Sequence, residues 1–406
     1  MMRQSIFAAG AAAVVLAATA CGGGSGSATG TSGAPIVIGA TLSLTGDLSA
    51  LGPPLEAGYE QEIADVNAAG GVAIGSTKDK LTLVVLDNGS NPNTASSQAR
   101  ELVLHDHAVA LLGFATVPIV MPTAVAAEQL HVPFLTSLTP VEAFASGDKD
   151  GWKYSWDLFF DEQQQAADAA TALASVPSNK KVALFTDSEP DAVVERALYL
   201  AAFMADGLDV VGDYTFPLGT KDFSSFVADA KAQGAQLVAG QMAPADGVAL
   251  WKQLKSFKFH PQAAFLAEAS DSASWLHSLG GMAQDTLSEG YWSPGQASTA
   301  QLAQIAPTLG KKYAGTANYA TSAMGYAVAE VLTDAIAKAD STNAGRITTA
   351  ISQTDAKTTA GLITFNKVTH TAITPYYITQ WQNGKLVQVQ PLGRGVTIQL
   401  PTAGLS

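Results

Sequence analysis

The chain has a single cysteine, Cys21, so it can close no internal disulfide, and in an exported protein a lone thiol has to be consumed by something else. Basic residues are scarce and never clustered. With 22 Lys+Arg against 35 Asp+Glu the net charge is −13, which argues against nucleic acid and anionic lipid surfaces as partners. No Gly-x-Ser-x-Gly elbow occurs, so a serine hydrolase is not expected. Neither a Walker loop nor a dinucleotide fingerprint is present, so the chain neither powers transport nor carries hydride, and no cofactor is expected. His105, Asp106 and His107 come nearest to a metal set. Neighbours on a helix point in different directions, however, and only the two histidines could approach one ion, so the run reads as a solvated helix end.

The opening residues carry an export signal. Arg3 precedes an apolar run over 6–20, and Cys21 is followed by Gly22, Gly23 and Gly24. About fifteen residues at a helical rise of about 1.5 Å cover roughly 22 Å, short of the roughly 30 Å hydrocarbon core of a bilayer. Residues Ala18, Thr19, Ala20 and Cys21 resemble the lipobox of bacterial lipoproteins, with Ala18 where leucine is commoner. Acylation would consume the thiol, and a stable anchor needs more than one chain at about 0.8 kcal/mol per buried methylene. Residues 1–20 are thus expected to be a signal peptide. Cys21 is the expected lipidation site, and 21–35, rich in Gly, Ser and Thr, a flexible tether.

About 370 residues remain, too many for one ordinary core and suited to two domains. Short β-branched runs alternate with longer amphipathic stretches, the rhythm of parallel α/β structure. Strands are expected over 36–42, 81–86, 109–113 and 132–135, with helices over 53–69, 94–105 and 118–129 between them. A second series has strands over 181–185, 208–214, 236–240 and 263–266 and helices over 162–175, 191–206, 223–233 and 244–257. Tyr326, Ala329, Thr333 and Ile336 give the stretch 319–339 one sheet-facing side. Residues 376–389 read as a β-hairpin turning at Asn383 and Gly384, and the last dozen residues as frayed. No short-period repeat is present, and the two α/β series read as paired lobes.

The segment IGATLSLTGDLSALGPPLEAGYEQEIADVNAAGGV resembles the opening of the branched-chain amino acid binding proteins of ABC importers, which have the type I periplasmic-binding-protein fold. HVPFLTSLTP, TKDFSSFVADAKAQGAQLVAG and NYATSAMGYAVAEVLTDAIAKA are similar to later segments of that family, in order, as far as about Trp381. The resemblance implies two Rossmann-like lobes with parallel-type sheets, a three-crossing hinge and a ligand cleft between the lobes. The expected N-terminal lobe is 36–157 plus about 296–360 and the C-terminal lobe 158–295 plus about 361–390, with 391–406 as a tail. It also implies a monomer working with ABC permease subunits and a cytoplasmic ATPase.

In open α/β sheets ligands bind beyond the carboxyl ends of strands, where helix N-termini present free N–H groups. Three first-lobe loops qualify: Ser43, Leu44, Thr45 and Gly46; Phe114 to Pro118; and Thr136 to Pro140. Ser43 reads equally well as a helix-entry cap. Thr139 is the expected hydroxyl contact of the third loop, beside Leu138, and Thr116 lies in the second. Glu268 falls where the resembled family binds the ligand's ammonium, although it also reads as a helix N-terminal acid beside Ser270 and Asp271. Matched against the family, Leu51 stands for a first-loop aromatic, Val117 for a carboxylate-binding serine, and Asp191 and Met242 for two cleft tyrosines. These departures point away from an unmodified leucine site and toward a cationic or amide ligand. Trp156, Phe159 and Phe160 lie near the first crossing, to pack the hinge or stack on ligand. Two other readings share these residues: a ligand sensor that signals to a receptor without transport, and a surface lipoprotein with a degenerate cleft.

Overall fold

The computed structural model describes residues 34–271, 273–292, 319–390, 397–400 and 405. The expected signal peptide, Cys21 and nearly all of the expected tether lie outside them. Two parallel-dominated sheets organise the molecule. The first has six strands, all parallel, in the order Thr371–Ile373, Ser155–Phe159, Phe134–Ser137, Ala110–Leu112, Ile36–Leu42 and Leu81–Asp87. The second has seven, in the order Lys385–Gln388, Tyr377–Gln382, Leu287–Gly290, Ala263–Ala267, Leu237–Gln241, Lys181–Asp187 and Asp209–Phe216. Within these two sheets only the pairings made by Tyr377–Gln382 are antiparallel, and the one with Lys385–Gln388 is the hairpin expected at Asn383 and Gly384.

Helices cover both faces of each sheet, which is why the central strands are apolar throughout. Leu237–Gln241 and Ala263–Ala267 are buried at every position. Prolines at the first turns of five helices (Pro53, Pro92, Pro118, Pro190, Pro244) fix the entry angle where no N–H is needed. Asn91 caps one of these helices, and Asp161 and Asn343 cap two others, by accepting backbone N–H groups.

The late helix Tyr319–Ala339 belongs with the first sheet because it crosses the early helix Gly52–Ala68 at two glycines. A Cβ on Gly58 would lie 2.1 Å from the Ser322 carbonyl oxygen, and one on Gly325 would lie 2.6 Å from that of Leu55. The close approach lets Ser322 Oγ donate to Pro54 O at 2.7 Å and Thr333 Oγ1 donate to Glu62 Oε1 at 2.7 Å.

The chain passes between the sheets after Phe159, after Gly290 and after Ile373. Aromatic rings bind these passages together: Phe160 meets Tyr376 at 4.7 Å and Phe159 meets Tyr291 at 5.1 Å between ring centroids. Trp156 turns away from the hinge and stacks on His370 at 3.6 Å. The expected boundary near 360 needs correction. Thr371–Ile373 pairs with Ser155–Phe159, completing the first sheet, so the third passage comes at Thr374 to Tyr376. The expected frayed tail is also corrected where it is described. Gln399 N–H donates to Gln380 Oε1 at 2.8 Å, Gln382 Nε2 donates to Thr397 O at 3.0 Å, and Leu405 is buried in the second lobe. Glutamine side chains there take the place of a further strand.

Candidate functional site

The carboxyl ends of the two sets of strands face each other across a cleft. Its inner part holds a cavity of about 40 Å³ between Leu51, Thr116, Leu138 and Pro140 of the first lobe and Gln165, Glu195, Gln241, Glu268, Asp271 and Glu289 of the second. Phe159, Phe160 and Tyr291, the rings of the hinge, close its back. Thr116 and Glu268 also line an outer part of about 260 Å³, reached past Leu48, Pro118 and Asp187.

Three non-glycine residues lining the inner cleft hold left-handed backbone: Thr116 with φ 69°, Leu138 with φ 59° and Glu268 with φ 58°. For a β-branched or branched side chain that conformation costs on the order of 1–3 kcal/mol, and such strain persists where surrounding structure imposes it. The Thr116 N–H donates to Leu138 O at 3.3 Å, knitting two strained loops together. The first-lobe wall is therefore backbone and hydroxyl. Thr116 Oγ1, Ser137 Oγ and Thr139 Oγ1 are buried without a protein partner.

The second-lobe wall is made of oxygen acceptors. Glu289, on the strand Leu287–Gly290, accepts the Glu268 N–H at 2.8 Å and the Gln165 amide at 3.0 Å. Glu268 accepts the Gln241 amide at 3.2 Å, and Asp271 accepts the Tyr291 hydroxyl at 2.9 Å. Burial raises both the Asp271 and the Glu289 carboxyls far above the carboxylate range, and the Asp271 charge raises Glu289 further. Among the described residues, no lysine, arginine or histidine lines the inner cleft.

The expected site residues divide accordingly. Leu51, Thr116, Leu138 and Glu268 line the inner cleft. Val117 and Thr139 are buried next to lining residues, Val117 as the first residue of its helix. Ser43, Thr45 and Gly46 serve the first loop itself: Ser43 Oγ donates to Asn88 Oδ1 at 2.7 Å, Thr45 Oγ1 donates to Asp87 Oδ2 at 2.7 Å, and Gly46 has φ 87° against Gly89 and Ser90. Short polar side chains there tie two loops together and do not face the cavity. Met242 is a correction, since it is fully buried in the second-lobe core, its Cε packed over Gly240. Asp191 stands in the first turn of Pro190–Ala205, with its side chain outside the described positions. Glu268 is not a helix-terminal acid, for the next helix, Ala273–Leu279, starts five residues later.

Sequence reasoning missed Gln165, Glu195, Gln241 and Glu289. Glu195 sits mid-helix beside the exposed Arg196 and reads as surface, yet it is 2% exposed. Glu289 is in a four-residue strand with too little pattern to detect. Its one local signal is an acid directly followed by glycine and two aromatics, Tyr291 and Trp292.

The family model described as periplasmic binding protein matches residues 35–385. The Leu/Ile/Val-binding protein homolog 7 of Brucella suis biovar 1 is 24% identical over 386 residues, covering 91% of this chain and 94% of that protein. Among solved structures, the branched-chain amino acid transporter substrate binding protein LivJ of Streptococcus pneumoniae, in complex with isoleucine, superposes with a TM-score of 0.77 at 19% identity, over 90% of this chain and 100% of that one. A solute binding protein of an ABC transporter from Rhodopseudomonas palustris, in complex with 3,4-dihydroxybenzoic acid, superposes with a TM-score of 0.74 at 18% identity, over 87% and 95%. With a family match across most of its length and the two-lobed architecture behind it, the chain belongs to the periplasmic binding protein family.

Proposed function

We propose that this chain is the extracytoplasmic solute-binding component of an ABC importer, anchored by lipid on Cys21, which captures a small amino-acid-like or amide-like solute between its lobes. Its partners are the permease subunits and a cytoplasmic ATPase, and it acts as a monomer. The observation that carries the reading is the polarity of the cleft. Hydroxyls and backbone at Thr116 and Leu138 face Glu268 across the inner space. An amino-acid-like solute would set its carboxylate toward the first lobe and its ammonium on Glu268, whose backbone is held by Glu289. Hinge closure around the bound solute excludes water, strengthens these contacts and makes a shape that a permease distinguishes from the open form.

The test is titration calorimetry of the purified chain with L-amino acids, preceded by a thermal-shift screen, since binding to the native state raises its stability by mass action. Glu268→Gln is expected to weaken an ammonium-bearing solute at least tenfold, about 1.4 kcal/mol. Unchanged affinity would remove Glu268 from the site.

A further inference from the structure

The second-lobe wall is more than a seat for one ammonium. Every side-chain donor in it is already committed to a carboxylate: the Gln165 amide to Glu289, the Gln241 amide to Glu268 and the Tyr291 hydroxyl to Asp271. What remains are acceptors. Asp271 Oδ1, Gln165 Oε1 and Gln241 Oε1 line the cavity on residues 93–99% buried, and each lacks a protein donor. A buried acceptor left without a partner costs about 1–3 kcal/mol, so a fitting solute must bring N–H groups to it.

We infer that the floor of the cleft, at Asp271, Gln165 and Gln241, is a second recognition site that takes a cationic, donor-rich group, so that the cargo is a basic amino acid rather than a branched aliphatic one. The inference rests on the proposed seating of the solute's ammonium at Glu268. Glu289 is the positioning residue, since its two oxygens hold the Glu268 backbone and the Gln165 amide. An aliphatic side chain would leave all three acceptors unanswered and desolvate two carboxyls for nothing in return. A guanidinium or ammonium side chain answers them with three to five N–H groups. A hydroxybenzoate would bring one or two O–H donors and no positive charge to this wall, with a carboxylate of its own to be repelled by the acids.

The charge environment adds a second consequence. Among the described residues, the titratable groups around the Asp271 and Glu289 pair are Glu162 and Asp168 from one helix, Glu195 and Tyr199 from another, Glu268 from its loop, Tyr291 at the hinge and Tyr376 from the third passage, and none is basic. Burial holds the pair partly protonated near neutral pH, so an arriving cation favours the ionised form and expels a proton.

The experiment is calorimetry of the full chain at pH 7.5 with L-arginine, L-lysine, L-citrulline, L-leucine and 4-hydroxybenzoate, each in buffers of different ionisation enthalpy. Arginine or lysine is expected to bind at least tenfold more tightly than leucine and more tightly than citrulline, which has the N–H groups without the charge. Its binding releases a net proton, and that of leucine does not. Asp271→Asn should cut arginine affinity at least tenfold and leucine affinity less than threefold. If leucine binds as tightly as arginine, the second site is wrong while the role of Glu268 stands. If no amino acid binds, or the aromatic acid outranks them all, both readings fall. Should Asp271→Asn fail to fold by circular dichroism, the ranking and proton count of the unaltered chain decide.

Discussion

Acidic pairs are buried in two places, and they are buried alike. Glu62 and Glu330 lie between the crossed helices of the first lobe at 5% and 6% exposure, and Glu289 and Asp271 lie at the cleft at 5% and 7%. In both, desolvation raises the carboxyls. The difference is in their partners. Glu62 accepts Thr333 Oγ1 at 2.7 Å, Glu330 accepts the Thr359 N–H at 2.8 Å, and among the described residues neither leaves a buried oxygen without a donor. Asp271 does leave one, and so do the glutamines around it. Burial of charge is therefore not what marks a site in this molecule; unanswered acceptors on a cavity wall are.

The comparison can be broken at its scaffold first. Gly58→Val would drive a side chain into the Ser322 carbonyl at the helix crossing that carries Glu62 and Glu330. A loss of about 3 kcal/mol or more in denaturant unfolding is expected. A smaller change comes from the answered pair itself. Because burial raises Glu62 and Glu330 from 4.5 to about 7, their contribution is full below pH 4.5 and lost as pH rises through about 7. Glu62→Gln should thus be more stable than the unaltered chain at pH 8, on the order of 1–3 kcal/mol, with the advantage gone near pH 5 and solute affinity unchanged. The smallest effect is expected at the cleft. Asp271→Asn should gain about 1 kcal/mol of stability at pH 8, by the same sign, while losing affinity for a basic solute. A variant that gained at pH 8 and kept full affinity would make Asp271 as structural as Glu62.

Much of this was legible in the chain. The strand Ile36–Leu42 and the helix Tyr319–Ala339 were placed to the residue by apolar runs and helical spacing. Ser155–Phe159 was missed because Ser155 and Asp157 interrupt it, and both are fully buried only because strands flank it on either side. Of the residues that line the cavity, Glu268 and Leu51 were pointed to by the resemblance to a known family. Thr116 and Leu138 were pointed to because loops after parallel strands face the cleft.

The sequence by itself determined the alternation of strands and helices, the family and the loops at the strand ends, because periodicity and turn chemistry are local properties. Only the tertiary structure decided which acids line the cleft. Gln165, Glu195, Asp271 and Glu289 come from four separate elements and converge on one cavity. Whether a carboxylate is answered or left waiting for a ligand depends on neighbours up to 124 positions away, as between Gln165 and Glu289, and no local pattern encodes that distance.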